Sequence, residues 1–232
     1  CVRGRTTPKT DGSWLGIGRH FVSASRPRRA ACEDGLTDGA TSRFSGECMV
    51  NPESLLRAAF ATAIDAARPD SCVPRFLPAY PLGQTVVVGA GKAAAAMALA
   101  LDRHWSADLR GTVVTAYRHG LDCPRIRVLE AAHPLPIEAG QRAAEQMLQS
   151  VTGLGPDDLV ICVISGGGSA LMPLPAVGLA LEDKQTLTRD LLRSGATISE
   201  INCVRRHLSR IKGGRLGAAC YPARLVTLAI SD

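Results

Sequence analysis

From residue 51 onward the apolar positions follow two rhythms in turn. Short continuous apolar runs, bounded by Gly, Pro or polar residues, fall at 85–88, 111–115, 126–130, 159–164 and 224–230. Runs of this kind read as strands buried on both faces. Between them the apolar residues recur at helical spacing. The first such stretch carries Leu55, Leu56, Ala59, Phe60, Ala63 and Ile64 behind Asn51-Pro52-Glu53. That tripeptide supplies an N-cap, a proline at the first helical position and an acid in the first turn. Further helices are predicted over 92–103, 138–151, 181–194 and 197–208, and 69–81 is a proline-rich connection. Strands alternating with helices predict an α/β fold, a mostly parallel sheet with helices on both faces. In such sheets a ligand sits beyond the C-terminal ends of the strands, so the segments just past each strand carry the functional information.

Residues 1–48 differ from the rest. They are rich in Arg, Ser, Thr and Gly and show neither period. The chain opens on Cys1 rather than Met, so a fragment or a translated upstream region is expected. The expectation for 1–48 is a disordered or non-native leader. A transit peptide is the alternative, against which Glu33, Asp34 and Asp38 argue. The organised part is expected to run from 49 to 232.

Composition removes several function classes. Apolar residues make up 46% of the chain, enough for a core, but aromatic residues only 4%. So few aromatics do not suit stacking on single-stranded nucleic acid. The net charge is +6, and residues 1–48 hold eight Lys/Arg against five Asp/Glu, half of that excess. The remainder is mildly basic and its charge is not clustered, which speaks against a nucleic-acid partner. No apolar stretch reaches the roughly 18 residues of a membrane span. Eight cysteines include no C-x-x-C pair, so neither a zinc motif nor a redox motif is indicated and a reducing, cytoplasmic setting is expected. Cys162, inside an apolar run, reads as a small buried hydrophobe.

After the first strand comes Gly89-Ala90-Gly91-Lys92-Ala93-Ala94. Glycines allow a tight turn and a close approach, and a helix N-terminus favours an anion. The spacing fits a loose dinucleotide fingerprint, yet the end of the next strand, Thr115-Ala116-Tyr117-Arg118, has no acid for a ribose hydroxyl. Arg118 leaves a 2′-phosphate dinucleotide open. Lys92 at the mouth of the turn is either a charge beside an anion site or a snorkelling surface lysine. After the fourth strand comes Ser165-Gly166-Gly167-Gly168-Ser169. Three glycines let successive N–H groups face one phosphate or carboxylate; the alternative is a plain flexible turn. Around Gly213-Gly214 lie Arg205, Arg206, Arg210, Lys212 and Arg215, a phosphate-binding group or a cationic helix end. Asp232 comes after the last strand, where a carboxylate can hold Mg²⁺ or accept a hydroxyl proton. His133, in Ala132-His133-Pro134-Leu135-Pro136, reads as a structural histidine or a substrate contact, and His119 likewise; His20 and His104 read as surface residues.

Taken in order, Val88-Gly89-Ala90-Gly91-Lys92-Ala93, Ala132-His133-Pro134-Leu135-Pro136, Ile164-Ser165-Gly166-Gly167-Gly168-Ser169-Ala170-Leu171, Ser194-Gly195-Ala196, the run from Ile201 to Leu216, and Ile230-Ser231-Asp232 resemble the glycerate 2-kinase family. The resemblance covers 49–232. It implies a Rossmann-like large domain facing a smaller second domain that this chain lacks, so that the chain alone is expected to be inactive. It also implies ATP- and Mg²⁺-dependent phosphorylation of D-glycerate to 2-phosphoglycerate. Its lysine falls on Lys92, an expected catalytic residue, its glycine-rich loop on Ser165 to Ser169, and its aspartate on Asp232, expected to be both catalytic and the metal ligand. Gly89, Gly91, Ser165, Gly166, Gly167, Gly168, Ser169, Arg206 and Lys212 are the expected substrate- or phosphate-binding residues. The expected partners are D-glycerate and ATP, with a homodimer possible in principle and no nucleic acid or membrane. An NAD(P)-dependent hydroxypyruvate reductase and a non-catalytic sugar-phosphate-binding module remain as alternatives.

Overall fold

The computed structural model describes residues 2–6, 51–133 and 137–230. They divide into two units, one holding residues 51–60 and the other residues 2–6 with 61–230. Apart from 2–6, the leader predicted over 1–48 lies outside the described residues. Helix α1 (Pro52–Ala67) starts where the sequence predicts, with Asn51 Oδ1 accepting the Glu53 N–H at 2.9 Å. A short helix α2 (Pro69–Cys72) and a 3-10 turn at Val73–Phe76 come next.

The sheet holds β1 (Val2–Thr6), β2 (Thr85–Ala90), β3 (Leu109–Ala116), β4 (Ile126–Ala131), β5 (Leu159–Ile164) and β6 (Arg224–Ile230). Its order is β1-β6-β5-β2-β3-β4. The five strands β2 to β6 run parallel, and β1 adds antiparallel to β6, Val2 opposite Ile230. The sheet is therefore mostly parallel, as the alternation of periods predicts. The edge strand β1 is an addition, because hydrogen bonding to β6 rather than a side-chain pattern defines it.

Helices α3 (Ala94–His104), α4 (Glu138–Val151), α5 (Gly168–Leu171), α6 (Leu181–Arg193), α7 (Ile198–His207) and α8 (Arg215–Cys220) complete the chain. Pleating sends alternate strand residues to opposite faces. Val87, Val113, Ile161 and Val163 pack with α3 residues Ala94, Met97, Ala98 and Leu101 and with Trp105. Val86, Val88, Val114 and Val160 pack with α4 residues Ala143, Ala144, Met147 and Val151 and with Cys220 of α8. Small residues on α3 and α4 let both helices lie close to the sheet, and each fully buried large side chain, such as Met147, contributes about 2 kcal/mol. Cys162 is buried as predicted, and burial pushes its thiol up to about 12.

Two central strands approach very closely. A Cβ on Gly89 would lie 2.1 Å from the Val163 carbonyl oxygen. Gly89 therefore serves the packing of β2 on β5. Between β3 and β4 no helix intervenes. The chain returns along 117–125, tied by the Gly120 N–H to Glu130 Oε1 at 2.8 Å.

Candidate active site

The turn from β2 into α3 is closed by the protein's own atoms. The Gly91 N–H donates to the Val114 carbonyl at 3.1 Å, Lys92 N–H to the Gly166 carbonyl at 2.9 Å, and Ala94 N–H to the Gly91 carbonyl at 3.0 Å. The Ala93 N–H donates to Ser165 Oγ at 3.0 Å, and Thr115 Oγ1 donates to the Lys92 carbonyl at 3.2 Å. Gly91 holds φ 141, and a Cβ there would sit 2.1 Å from Ser165 Oγ. The glycine thus makes room for Ser165. In a dinucleotide fingerprint the corresponding N–H groups meet a pyrophosphate; here every one of them is occupied. What leaves the turn is the exposed side chain of Lys92.

Ser165 is the clasp of this arrangement and is buried. Ser165→Ala strands the Ala93 N–H in a water-poor turn. The expected loss is about 1–2 kcal/mol, read as a lower midpoint in denaturant unfolding with an unchanged slope. An unaltered midpoint would show that water replaces the hydroxyl.

The loop from β5 into α5 is the opposite case. Ser165 N–H donates to the Ala90 carbonyl at 3.2 Å and Gly168 N–H to the Ser165 carbonyl at 3.3 Å. The N–H groups of Gly166, Gly167 and Ser169 make no hydrogen bond among the described residues. Gly167 adopts φ 85, a left-handed conformation that a side chain disfavours. A Cβ on it would lie 3.0 Å from His133 Cδ2 and Nε2 and 3.6 Å from Lys92 Cγ. The C-terminal ends of β2, β4 and β5 therefore bring Lys92, His133 and the triple-glycine loop together. Of the two roles weighed for His133, the geometry gives it a position at this site. Its signal in the sequence, a histidine just past a strand end, was no stronger than that of His119. Gly168, by contrast, packs on β2, since a Cβ there would sit 2.7 Å from the Ala90 carbonyl oxygen.

The basic segment is strapped onto the chain after α5. The Arg210 N–H donates to the Leu174 carbonyl at 3.0 Å and Ala176 N–H to the Leu208 carbonyl at 3.2 Å. Buried Ser209 accepts the Lys212 N–H at 3.2 Å. Arg206 is exposed, and its carbonyl accepts from Arg215 Nη1 at 2.8 Å. Lys212 is tucked in, its Nζ donating to the Met172 carbonyl. Burial pushes the Lys212 ammonium down to about 7, with Lys184 and Arg205 acting as nearby like charges. Burial also pushes Lys184 down to about 8, Arg205 adding to the effect. Lys184 was not singled out by its sequence context. Its trace there is a lysine three positions after Leu181, on the apolar stripe of α6.

Asp232, the expected catalytic and metal residue, and Pro134 to Pro136 lie outside the described residues. Among the described residues no group of three or more His, Cys, Asp or Glu side chains could hold a metal ion. No described helix is long and apolar enough to cross a membrane. A cleft of about 410 Å³ opens elsewhere, at the N-terminal ends of β3 and β4, lined by Arg110, Cys123, Arg125, Arg127 and Ser150 among others. Arg125 there is committed to structure: it pairs with Asp102 at 2.6 Å and donates to the Ala107 and Trp105 carbonyls. Ligands of parallel sheets bind at the other end, so the candidate site stays with Lys92.

The same fold and loops occur in known proteins. The chain is 41% identical over 189 residues to a D-glycerate 2-kinase of Thermotoga maritima, an alignment covering 79% of this chain and 45% of that protein. It is 53% identical over 184 residues to a protein of Agrobacterium vitis provisionally named hydroxypyruvate reductase, covering 79% of this chain and 42% of the relative. The crystal structure of Thermotoga maritima glycerate kinase superposes with a TM-score of 0.68 at 38% identity, over 75% of this chain and 43% of that one. The chain thus spans less than half the length of these relatives. Residues 55–232 match a family model described as a domain of unknown function, DUF4147. The chain belongs to the DUF4147 family, that of the glycerate kinases it resembles.

Proposed function

We propose that this chain carries the phosphate-binding half of an enzyme that transfers the γ-phosphoryl group of ATP to the 2-hydroxyl of D-glycerate, giving 2-phosphoglycerate. One observation carries the reading. The N–H groups that would make the β2–α3 turn a dinucleotide site are consumed internally, whereas those of Gly166, Gly167 and Ser169, in the loop beside Lys92, make no hydrogen bond among the described residues. Phosphoryl transfer asks a protein mainly for positioning and charge neutralisation. Lys92 supplies a point charge at the transferring phosphate or the glycerate carboxylate. The loop amides cradle an anionic group of substrate or nucleotide. Arg206 and Lys212 add positive charge, and His133 lies against the same loop. Mg²⁺, when bound, supplies charge neutralisation on the phosphates. Asp232 is the residue proposed to place it or to orient the 2-hydroxyl.

The name of the Agrobacterium vitis relative favours a second reading, reduction of hydroxypyruvate by a nicotinamide cofactor. The occupied turn and the lack of an acid at the end of β3, over Thr115 to Arg118, weigh against it. One assay separates the readings. The full-length protein is given D-glycerate, ATP and Mg²⁺ and ADP release is monitored, with NADPH plus hydroxypyruvate as the parallel arm. ADP release that depends on D-glycerate is the expected result. NADPH oxidation without ADP release would establish the reductase, and ligand binding with neither turnover would establish a binding module.

A further inference from the structure

Two lysines from different elements reach backbone carbonyls of the segment 172–174, just after α5, and Arg205 lies close enough to bear on both as a like charge. Lys184 comes from α6, Arg205 from α7, and Lys212 from the loop before α8. Lys184 is only 6% exposed, and its Nζ lies 3.5 Å from the Leu174 carbonyl oxygen. Lys212 Nζ donates to the Met172 carbonyl, two residues earlier on the same strand of chain. Arg205, half-buried, lies 3.5 Å from Asn202 Oδ1 through Nη1. None of the three forms an ion pair with a carboxylate among the described residues. Each feels or exerts a like-charge effect within the group, and the direction of every shift is toward the neutral form.

Unpaired buried charge is costly, and like charges gathered together add to that cost. An ammonium has three donors and a guanidinium five. Among the described residues, one carbonyl each for Lys184 and Lys212 leaves most of that capacity unused. Such a group is stabilised by an anion that brings several acceptor oxygens and more than one negative charge. A phosphate group answers both needs, and a single carboxylate only part of either. Arg205 and Lys212 are both partly exposed, so the cluster is open to solvent on their side.

We propose that Lys184, Arg205 and Lys212 form a binding site for a phosphate group, free or carried by a nucleotide, at the seam of the 172–174 segment with helices α6 and α7. The inference rests on the kinase reading only in sharing Lys212 with it. The geometry adds Lys184, which its sequence context did not single out, to Arg205 of the basic segment.

The test is thermal unfolding of the full-length protein in inorganic phosphate against chloride at equal ionic strength. Wild-type Tm is expected to rise by roughly 5–10 °C at a hundredfold excess of phosphate over its Kd, by mass action on the folded state. Lys184→Met and Arg205→Gln should each abolish that rise, while Lys184→Arg should keep it. In chloride Lys184→Met should unfold at or above the wild-type temperature, because a buried unpaired charge is gone. A purely structural lysine would instead lower Tm in both salts and leave the phosphate response intact. ATP that displaces phosphate in titration calorimetry identifies the nucleotide as the source, and simultaneous binding identifies free phosphate. No phosphate response in the wild type, or an equal response in the variants, overturns the site. If ADP release from D-glycerate persists in that case, the site alone fails. A phosphate response without ADP release leaves the site standing and removes the kinase.

Discussion

Lys92→Met in the full-length protein is expected to lower D-glycerate-dependent ADP release by about a hundredfold or more while leaving Tm within a degree or two of wild type. The separation arises from how the residue is held. Its backbone N–H and carbonyl are both bound, to the Gly166 carbonyl and Thr115 Oγ1, so the turn keeps its shape without the side chain. The side chain itself is exposed, making no ion pair among the described residues. Removing it takes a positive charge from beside a loop with three amides unpaired among the described residues, and nothing from the core. A group that neutralises developing charge in a shielded site is worth about 10²–10³ in turnover. The loss should fall on kcat and kcat/KM together; a rise in KM alone would mean that Lys92 only holds the ground-state anion. Arginine should rescue poorly, since a planar fork does not replace a compact ammonium. Near-wild-type turnover in Lys92→Met removes the residue from the mechanism.

Gly89→Ala carries the largest expected stability effect. The added methyl would sit 2.1 Å from the Val163 carbonyl oxygen and 2.4 Å from Val163 Cγ2. The obstacle is backbone of the neighbouring central strand, and neither β2 nor β5 can move without disturbing both cores. Overpacking of this severity costs about 3 kcal/mol or more, a fall in Tm of roughly 6–12 °C for a domain of this size. Gly166→Ala is the comparison. Among the described residues nothing lies within 4 Å of its Cβ position, so stability should change little. A Gly89→Ala protein as stable as Gly166→Ala would show that the two strands have room to part.

The elements were legible wherever a period runs long enough. Helix α4 and strands β5 and β6 fall on the limits predicted for them, because apolar runs or stripes end there on turn residues. Helix α3 begins two residues later than its pattern suggests, since Gly91 to Ala93 are used to clasp the loop after β5. The glycine signals located both turns. They did not tell which turn keeps its N–H groups free, because that depends on Ser165 reaching across from another strand. His133 became visible as a neighbour of Gly167 only once β4 and β5 were placed in one sheet. Lys184 stayed hidden for the same reason, and Arg205 showed only as one of the basic residues around Gly213-Gly214. Their meeting point is set by how 208–212 lies on 172–176, and no local spacing records it.

Sheet order also fixes when each part of the site comes into being during synthesis. Strand β2 is the first of the five parallel strands to leave the ribosome, yet it ends up in the middle of them. β3 and β4 emerge next and cover one side. Its other edge waits for β5, and 72 residues separate Ala93 from the Ser165 that caps it. Through that interval the nascent chain carries a bare hydrophobic strand edge, the kind that pairs with strangers. Two amides of its first glycine turn, those of Lys92 and Ala93, still lack the partners that follow β5. Delivery of 159–164 ends both conditions in one step: the same strand that shields the edge brings the partners of the Lys92 and Ala93 amides and sets the loop proposed to hold the anion beside Lys92.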